Sequence, residues 1–316
     1  MTIAKNRVFF NIFSILTVFM FFFLLKSPLQ AGESVNRGLS LCFYKAIPAL
    51  FPFLILNELM ITIGFPQRFG KIFGGIFSKL FNVNTVGAAA FVSGCLFGFP
   101  LGTNSVVSMY EKQLISKNEA ERMICFCSNT GPGFIMGVIG VGLCSKEIAF
   151  CIYLSQIISA IIIGIALKEK SYPKQPTAFH QNNPPLSLNV ITKAITNSVL
   201  PMLNICAFIC FFSCISGALD NLFDFLTINE YLSAFMTGFL EITNGVQTVS
   251  SYGTNFMSVF FCAFFVGWSG LSVILQSVSL ASKAGLSSRR FIISKLLQGG
   301  IGAVICVIAC KFLELY

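Results

Sequence analysis

The sequence predicts an all-α integral membrane protein built from an inverted repeat of helices with two re-entrant helical hairpins. Three observations carry this: an apolar composition, a series of uncharged runs of membrane-spanning length, and two glycine-centred breaks at corresponding places in the two halves. Of the 316 residues, 55% are hydrophobic and only 10% charged, with 36 phenylalanines and a mean hydropathy of +0.81. Soluble domains carry about 25% charged residues, so a soluble class is excluded.

The uncharged runs locate the spans. Val8 to Leu25, Met123 to Ser145, Ile148 to Leu167 and Ala194 to Leu219 contain no Asp, Glu, Lys or Arg. Each approaches the ~20 residues that cross a bilayer core as a helix. A further helix is read from about Tyr44 to Gly64. Lys5 and Arg7 before the first run resemble a secretory signal. That run exceeds the usual h-region of ~7–15 residues, and no A-x-A site follows, so an uncleaved first helix is expected. Backbone groups in hydrocarbon must be satisfied within the segment, which makes helix the default throughout.

Charge gives an orientation. The net charge of +9 is concentrated beside spans: Lys5 and Arg7 first, then Arg68, Lys71 and Lys79, then Lys168, Lys170 and Lys174. Asp220, Asp224 and Glu230 mark a stretch without Lys or Arg. The positive-inside rule places the N-terminus and the Lys168 loop in the cytoplasm and the Asp220 stretch outside. Basic residues tied to spans give no reason to expect a nucleic-acid partner. The twelve cysteines lie mostly within apolar runs, as do Cys125, Cys127, Cys206 and Cys210, where free Cys behaves as a small hydrophobe. His180 lies in a proline-rich polar loop, and no His/Cys spacing suits a metal. No metal and no cofactor is expected, and no nucleophile–base pair suggests an enzyme.

The polar loop divides the chain. The expected units are an N-terminal helix (1–35), a first membrane repeat (36–168), a cytoplasmic linker (169–189) and a second repeat (190–316). Four landmarks recur in order. Ala46-Ile-Pro-Ala-Leu-Phe-Pro52 pairs with Ala194-Ile-Thr-Asn-Ser-Val-Leu-Pro201, and Phe97-Gly-Phe-Pro-Leu-Gly102 with Val266-Gly-Trp-Ser-Gly270. Leu114-Ile-Ser-Lys-Asn118 pairs with Gly285-Leu-Ser-Ser-Arg289, and Asn129-Thr-Gly-Pro-Gly133 with Gln298-Gly-Gly-Ile-Gly302. An odd number of crossings between the copies inverts the second, as in many secondary transporters with midplane sites.

Leu80 to Tyr110 and Ile242 to Ser282 each suit a hairpin that enters and leaves from one face. The first run is too short for two full crossings, which need ~40 residues. Gly98, Pro100 and Gly102 break it, with Thr103 and Asn104 starting the returning helix. The second tip is read at Gly267, Ser269, Gly270 and Ser272, with Gln276 one turn on. Asn129 and Thr130 complete the candidate binding set. At such tips glycine lets a ligand approach the N–H groups and the positive end of a helix. The competing reading is that these glycines only let helices pack closely. Glu58 and Glu241, with Asn244, are the candidate coupling residues, because a carboxylate at membrane depth is costly and usually functional. The expected topology is six crossings and two hairpins with both termini cytoplasmic. It leaves Lys283, Arg289, Arg290 and Lys295 on the external side, against the charge rule.

Ala46 to Leu59, the basic amphipathic segment to Phe81, Ser93-Gly-Cys-Leu-Phe-Gly-Phe-Pro-Leu-Gly102 and Ile115-Ser-Lys-Asn-Glu-Ala-Glu-Arg122 resemble the YlbJ-type sporulation integral membrane proteins. So do Phe239-Leu-Glu-Ile-Thr-Asn-Gly245 and Gly267-Trp-Ser-Gly-Leu-Ser272 with Gln276. The resemblance covers about Asn36 to Phe312. It implies membership of a wider group with nucleoside-recognition or gate domains, similar in architecture to concentrative nucleoside transporters. It implies a multi-pass protein of the cell membrane or outer forespore membrane that moves dipicolinate inward. The expected partners are the lipid bilayer and a small molecule, dipicolinate or nucleoside-like, with H+ or Na+ as coupling ion. A homo-oligomer stays open. Asn104, Asn129, Gln276 and a carboxylate are the groups that would read a nucleoside.

Overall fold

The computed structural model describes residues 14–15, 17–18, 20–169 and 188–316, and these contain helices and no strand. His180 and most of the polar linker lie outside the described residues, as do Lys5 and Arg7.

Residues 20–26 are helical up to Ser27, where α1 (Pro28–Leu41) begins. It passes through a wider π-type turn (Cys42–Ala46) into α2 (Ile47–Thr62). This length packs against the 38-residue α9 (Leu188–Phe225). Arg37 pairs with Asp220 at 3.6 Å, and Cys42 donates to the Cys206 carbonyl. Gly64 turns the chain into α3 (Phe65–Phe81), which exposes Ile72 and Ile76 together with Arg68, Lys71 and Lys79. Apolar and basic residues exposed together suit a helix lying in the membrane interface.

α4 (Gly87–Phe97) and α5 (Leu101–Glu111) fold against each other as a hairpin. Eleven residues rise about 16 Å, half of a ~30 Å core. α6 (Lys117–Cys127) opens with Ser116 Oγ accepting from the Glu119 N–H, the expected effect of Ser-x-x-Glu. It breaks over Ser128-Asn129-Thr130-Gly131 and resumes as α7 (Pro132–Phe134, continuing as a π-type turn over Ile135–Gly140). α8 (Lys146–Ala166) then returns.

After α9, α10 (Glu230–Leu240) and α11 (Ile242–Ser250) form a second hairpin. α12 (Phe256–Trp268) and α13 (Gly270–Lys283) form a crossing broken at Ser269, and α14 (Arg289–Phe312) ends the bundle. Six helices or broken helices among the described residues are long and apolar enough to cross a membrane. On α14, Ile293, Leu297, Val304 and Ile308 are exposed, while Ser294, Lys295, Gln298 and Gly302 are buried. The polar side faces inward and the apolar side outward, as a bilayer demands.

Hydrogen bonds define the two ends of the bundle. At one end Lys168 Nζ donates to the Lys79 carbonyl (2.6 Å), Asn118 donates to the Glu169 carboxylate (2.6 Å), Arg290 pairs with Glu169 (3.3 Å), and the Ser287 N–H donates to Glu121 (2.9 Å). The base of the first hairpin lies here, with Asn84 bonded to Glu119 and Leu114. At the other end Thr254 donates to the Leu143 carbonyl (2.7 Å), Tyr231 meets Tyr252 across the base of the second hairpin, and Tyr316 meets Phe256. The two hairpins therefore enter from opposite ends.

Two expectations are corrected. The second hairpin is Glu230–Ser250 with its tip at Glu241, not Ile242 to Ser282 with its tip at Gly267–Gly270. The uncharged run merges one hairpin arm with a full crossing, so its length misled. The repeat is thereby re-registered: the Gly98 tip matches Glu241, and the Asn129 break matches Ser269. Because Phe256–Lys283 is long and apolar enough to cross and runs from the Tyr316 end to the Ser287 end, Lys283, Arg289 and Arg290 join Lys79 and Lys168 at one end. The conflict with the charge rule disappears. The C-terminus lies at the opposite end, not with the basic loops.

Candidate functional site

Each hairpin tip rests on the break of a crossing in its own half. At the first tip Gly98 has φ +80° and its N–H closes α4 on Gly94. A Cβ there would lie 2.6 Å from the Gly131 nitrogen, so the positive φ and the close approach both require glycine. At the second tip Gly270 (φ +74°) abuts Glu241 and Ile242, a Cβ falling 2.9 Å from the Ile242 nitrogen. Gly267 is not at a tip; it packs on the backbone of Gly299 in α14.

The first break replaces helix hydrogen bonds with side chains from α8 and α14. Gln156 accepts from the Thr130 N–H (2.7 Å) and donates to the Thr130 carbonyl (2.9 Å), so one amide satisfies both backbone groups. Asn129 donates to the Phe126 carbonyl (2.8 Å) and accepts from Gln298 Nε2 (2.9 Å). Lys295 Nζ donates to the Ser128 carbonyl (2.7 Å) and to Gln298 Oε1 (2.8 Å). Thr130 Oγ1 donates to the Val266 carbonyl (3.0 Å), joining this break to α12 of the other half. All of these side chains are buried.

The second tip is built differently. Glu241 is 1% exposed and caps α11, its carboxylate accepting from the Asn244 N–H at 2.7 Å. A carboxylate complements a helix N-terminus. Asn244 donates to Ser213 Oγ on α9 (2.8 Å). Trp268 stacks on Phe239 at 4.6 Å and donates to its carbonyl (2.8 Å), fixing the tip against the break.

Several buried polar groups find no hydrogen-bond partner among the described residues: the Asn57 amide and the hydroxyls of Thr103, Ser128, Ser269 and Ser277. Orphaned groups are rare in a settled interior, and each calls for an explanation.

The candidate residues thus divide. Gly98, Gly102, Thr103, Asn129 and Thr130 gather at the first tip and break; Ser269, Gly270, Glu241 and Asn244 gather at the second, with Ser272 one turn into α13. Pro100 is half-buried. Asn104 is exposed, and Gln276 and Glu58 are partly exposed, away from the buried networks. Gln156, Lys295, Gln298 and Ser213 are additions that the sequence reading passed over. Lys295, grouped there with loop residues, is fully buried. Its signal was its spacing: it falls on the face opposite the apolar stripe of α14, three residues before Gln298.

No protein-family model matches the chain. It is 25% identical over 325 aligned positions to the sporulation integral membrane protein YlbJ of Bacillus subtilis (strain 168), covering 90% of this chain and 78% of that protein. In fold it is similar to the solved transporter CNTnw in an inward-facing substrate-bound state, with a TM-score of 0.60 at 11% identity, covering 98% of this chain and 85% of that one. The chain is therefore a multi-pass integral membrane protein similar in sequence to YlbJ and in fold to a concentrative nucleoside transporter.

Proposed function

We propose that the chain is a transporter of a small anionic metabolite, dipicolinate, moved across its membrane toward the developing spore. The observation that carries the reading is the pair of hairpins inserted from opposite ends, each with its tip against a broken crossing. A protein that only anchors others has no need of four interrupted helices in its interior. Broken helices around a midplane site are a recurrent transporter device, and re-entrant hairpins give each side of the membrane its own gate. The N-termini of α5 and α13 end inside, where their partial positive charge suits carboxylates, while that of α11 is capped by Glu241. Similarity to a sporulation integral membrane protein supports a spore membrane as its place.

By the positive-inside rule the end bearing Lys79, Lys168, Lys283 and Arg290 faces the cytoplasm. Glu241 is the group placed to couple transport to H+ or Na+. A second reading, a nucleoside-like substrate, rests on the fold likeness. Uptake of labelled dipicolinate against labelled uridine by proteoliposomes tests both. Dipicolinate uptake is expected; uptake of uridine alone supports the second reading, and uptake of neither leaves a membrane scaffold.

A further inference from the structure

Lys295 is 0% exposed within a helix long and apolar enough to span a bilayer. Its ammonium meets two neutral oxygens, the Ser128 carbonyl and Gln298 Oε1. Among the described residues it has no ion pair. Around it lie the thiols of Cys95 on α4 and Cys125 on α6, with no carboxylate. Burying an unpaired ion costs several kcal/mol even after relaxation, and two neutral acceptors offset only part of that. A lysine kept at such a place in a membrane marks a functional group by default, and its partner has to be named.

No described residue supplies the missing partner. Two hydroxyls stand without acceptors beside the same stretch: Ser128 Oγ, on the residue whose carbonyl binds Lys295, and Thr103 Oγ1 on α5. Thr103 is 1% exposed and Ser128 fully buried. Their chain neighbours meet, since Gly102, next to Thr103, packs directly on the carbonyl of Cys127, next to Ser128. One cation and two unengaged donors are the complement of a carboxylate, whose two oxygens accept about four hydrogen bonds.

We propose that Lys295, with Ser128 Oγ and Thr103 Oγ1, forms a carboxylate-binding subsite at the break between α6 and α7, and that its ligand is a small organic anion. The proposal rests on the transport reading and names the residues that take a carboxylate of its substrate. The anion supplies the charge that Lys295 lacks. The unwound segment allows this, because its backbone is held by the side chains of Gln156 and Lys295 and not by a helix ladder, while Gln298 holds the Asn129 side chain. A purely structural lysine, latching the Ser128 carbonyl, is the alternative that the test must separate.

Binding of labelled dipicolinate to the purified full-length protein is measured alongside its melting temperature, with uridine as an uncharged probe. Lys295→Gln retains a donor for the Ser128 carbonyl and removes the charge. It is expected to weaken dipicolinate binding about 10- to 100-fold, the size of a lost charged hydrogen bond, with the melting temperature nearly unchanged. Lys295→Arg is expected to restore part of the loss. Thr103→Val, nearly isosteric at a position with no bond to lose, is expected to weaken binding several-fold. Equal dipicolinate binding in wild type and Lys295→Gln overturns the subsite while leaving transport intact. If Lys295→Gln melts early, unchanged binding in Thr103→Val overturns it. A wild type that takes up uridine and binds no dipicolinate also overturns it, and a wild type that takes up neither overturns the transport reading itself.

Discussion

Arg122 holds together the ends of two helices far apart in sequence. Its guanidinium donates to the carbonyls of Phe81 (3.4 Å) and Asn82 (2.9 Å) at the end of α3 and to that of Leu167 (3.1 Å) at the end of α8. Terminal carbonyls have no partner in their own helix and carry partial negative charge. Arg122 is 4% exposed, so water cannot replace it. Arg122→Met is expected to destabilise the protein by about 2–4 kcal/mol, because the abandoned carbonyls stay buried; a melt of the detergent-solubilised variant measures this. Glu241 presents a different test. Glu241→Gln keeps an oxygen for the Asn244 N–H, so the cap and the fold are expected to survive, whereas Glu241→Ala is expected to cost about 0.5–2 kcal/mol. If the carboxylate carries the coupling ion, Glu241→Gln flattens the dependence of uptake on pH or Na+ while the melting temperature holds. An unaltered dependence on both removes Glu241 from the mechanism and leaves it a helix cap.

At the scale of the element, the arms of each hairpin touch at glycines: Gly94 against Gly102 in the first, Gly238 against Gly245 in the second. This matched pair agrees with the re-registered landmarks and changes how the glycines are understood. The sequence reading reserved the space beside Gly98, Gly102, Gly267 and Gly270 for a ligand. The structure fills it with backbone: Gly131 beside Gly98, Cys127 beside Gly102, Gly299 beside Gly267 and Ile242 beside Gly270. Close helix packing is what small residues provide in membranes. Gly267→Ala is therefore expected to lower stability by about 1–3 kcal/mol through overpacking. Gly300→Ala, one residue beyond Gly299 with nothing within 4 Å of its Cβ, is expected to be neutral. Equal melting temperatures for the two variants contradict the packing assignment. The first hairpin was legible because Gly-Phe-Pro-Leu-Gly interrupts a run too short for two crossings. The second was not, because its tip is a glutamate with no glycine or proline at the turn. A capping carboxylate stops one helix and starts the next without either residue. Gln156 and Gln298 were missed for another reason: they act on a break in a different helix, a relation that spacing along one chain does not display, and the spacing of Lys295 marks its inward face without showing what it meets.

On the scale of the whole molecule, inversion of the two halves follows from which end each turn occupies. The turn between α13 and α14 lies with Glu121 and Glu169, because Ser287 and Arg290 bond to them. The turn between α7 and α8 lies with Thr254, at the far end of α8, about 31 Å away for its 21 residues. Two native features make this measurable. Cys144 is the exposed cysteine among the described residues, and it sits in that far turn. Ser282 is exposed at the end of α13. A membrane-impermeant maleimide is expected to label Cys144 from the external side only. In a Cys144→Ser background, Ser282→Cys is expected to react from the cytoplasmic side only. The opposite labelling follows from a full crossing by α12 and α13, since a hairpin over the same residues returns Ser282 to the side from which Phe256 starts. It also obeys charge, for Lys283, Arg289 and Arg290 then share the side of Lys79 and Lys168, as the positive-inside rule requires. Labelling of Cys144 and Ser282→Cys from the same side means that Phe256–Lys283 does not cross. In that case the two hairpins no longer face each other from opposite membranes' sides, and an alternating pair of gates loses its structural basis.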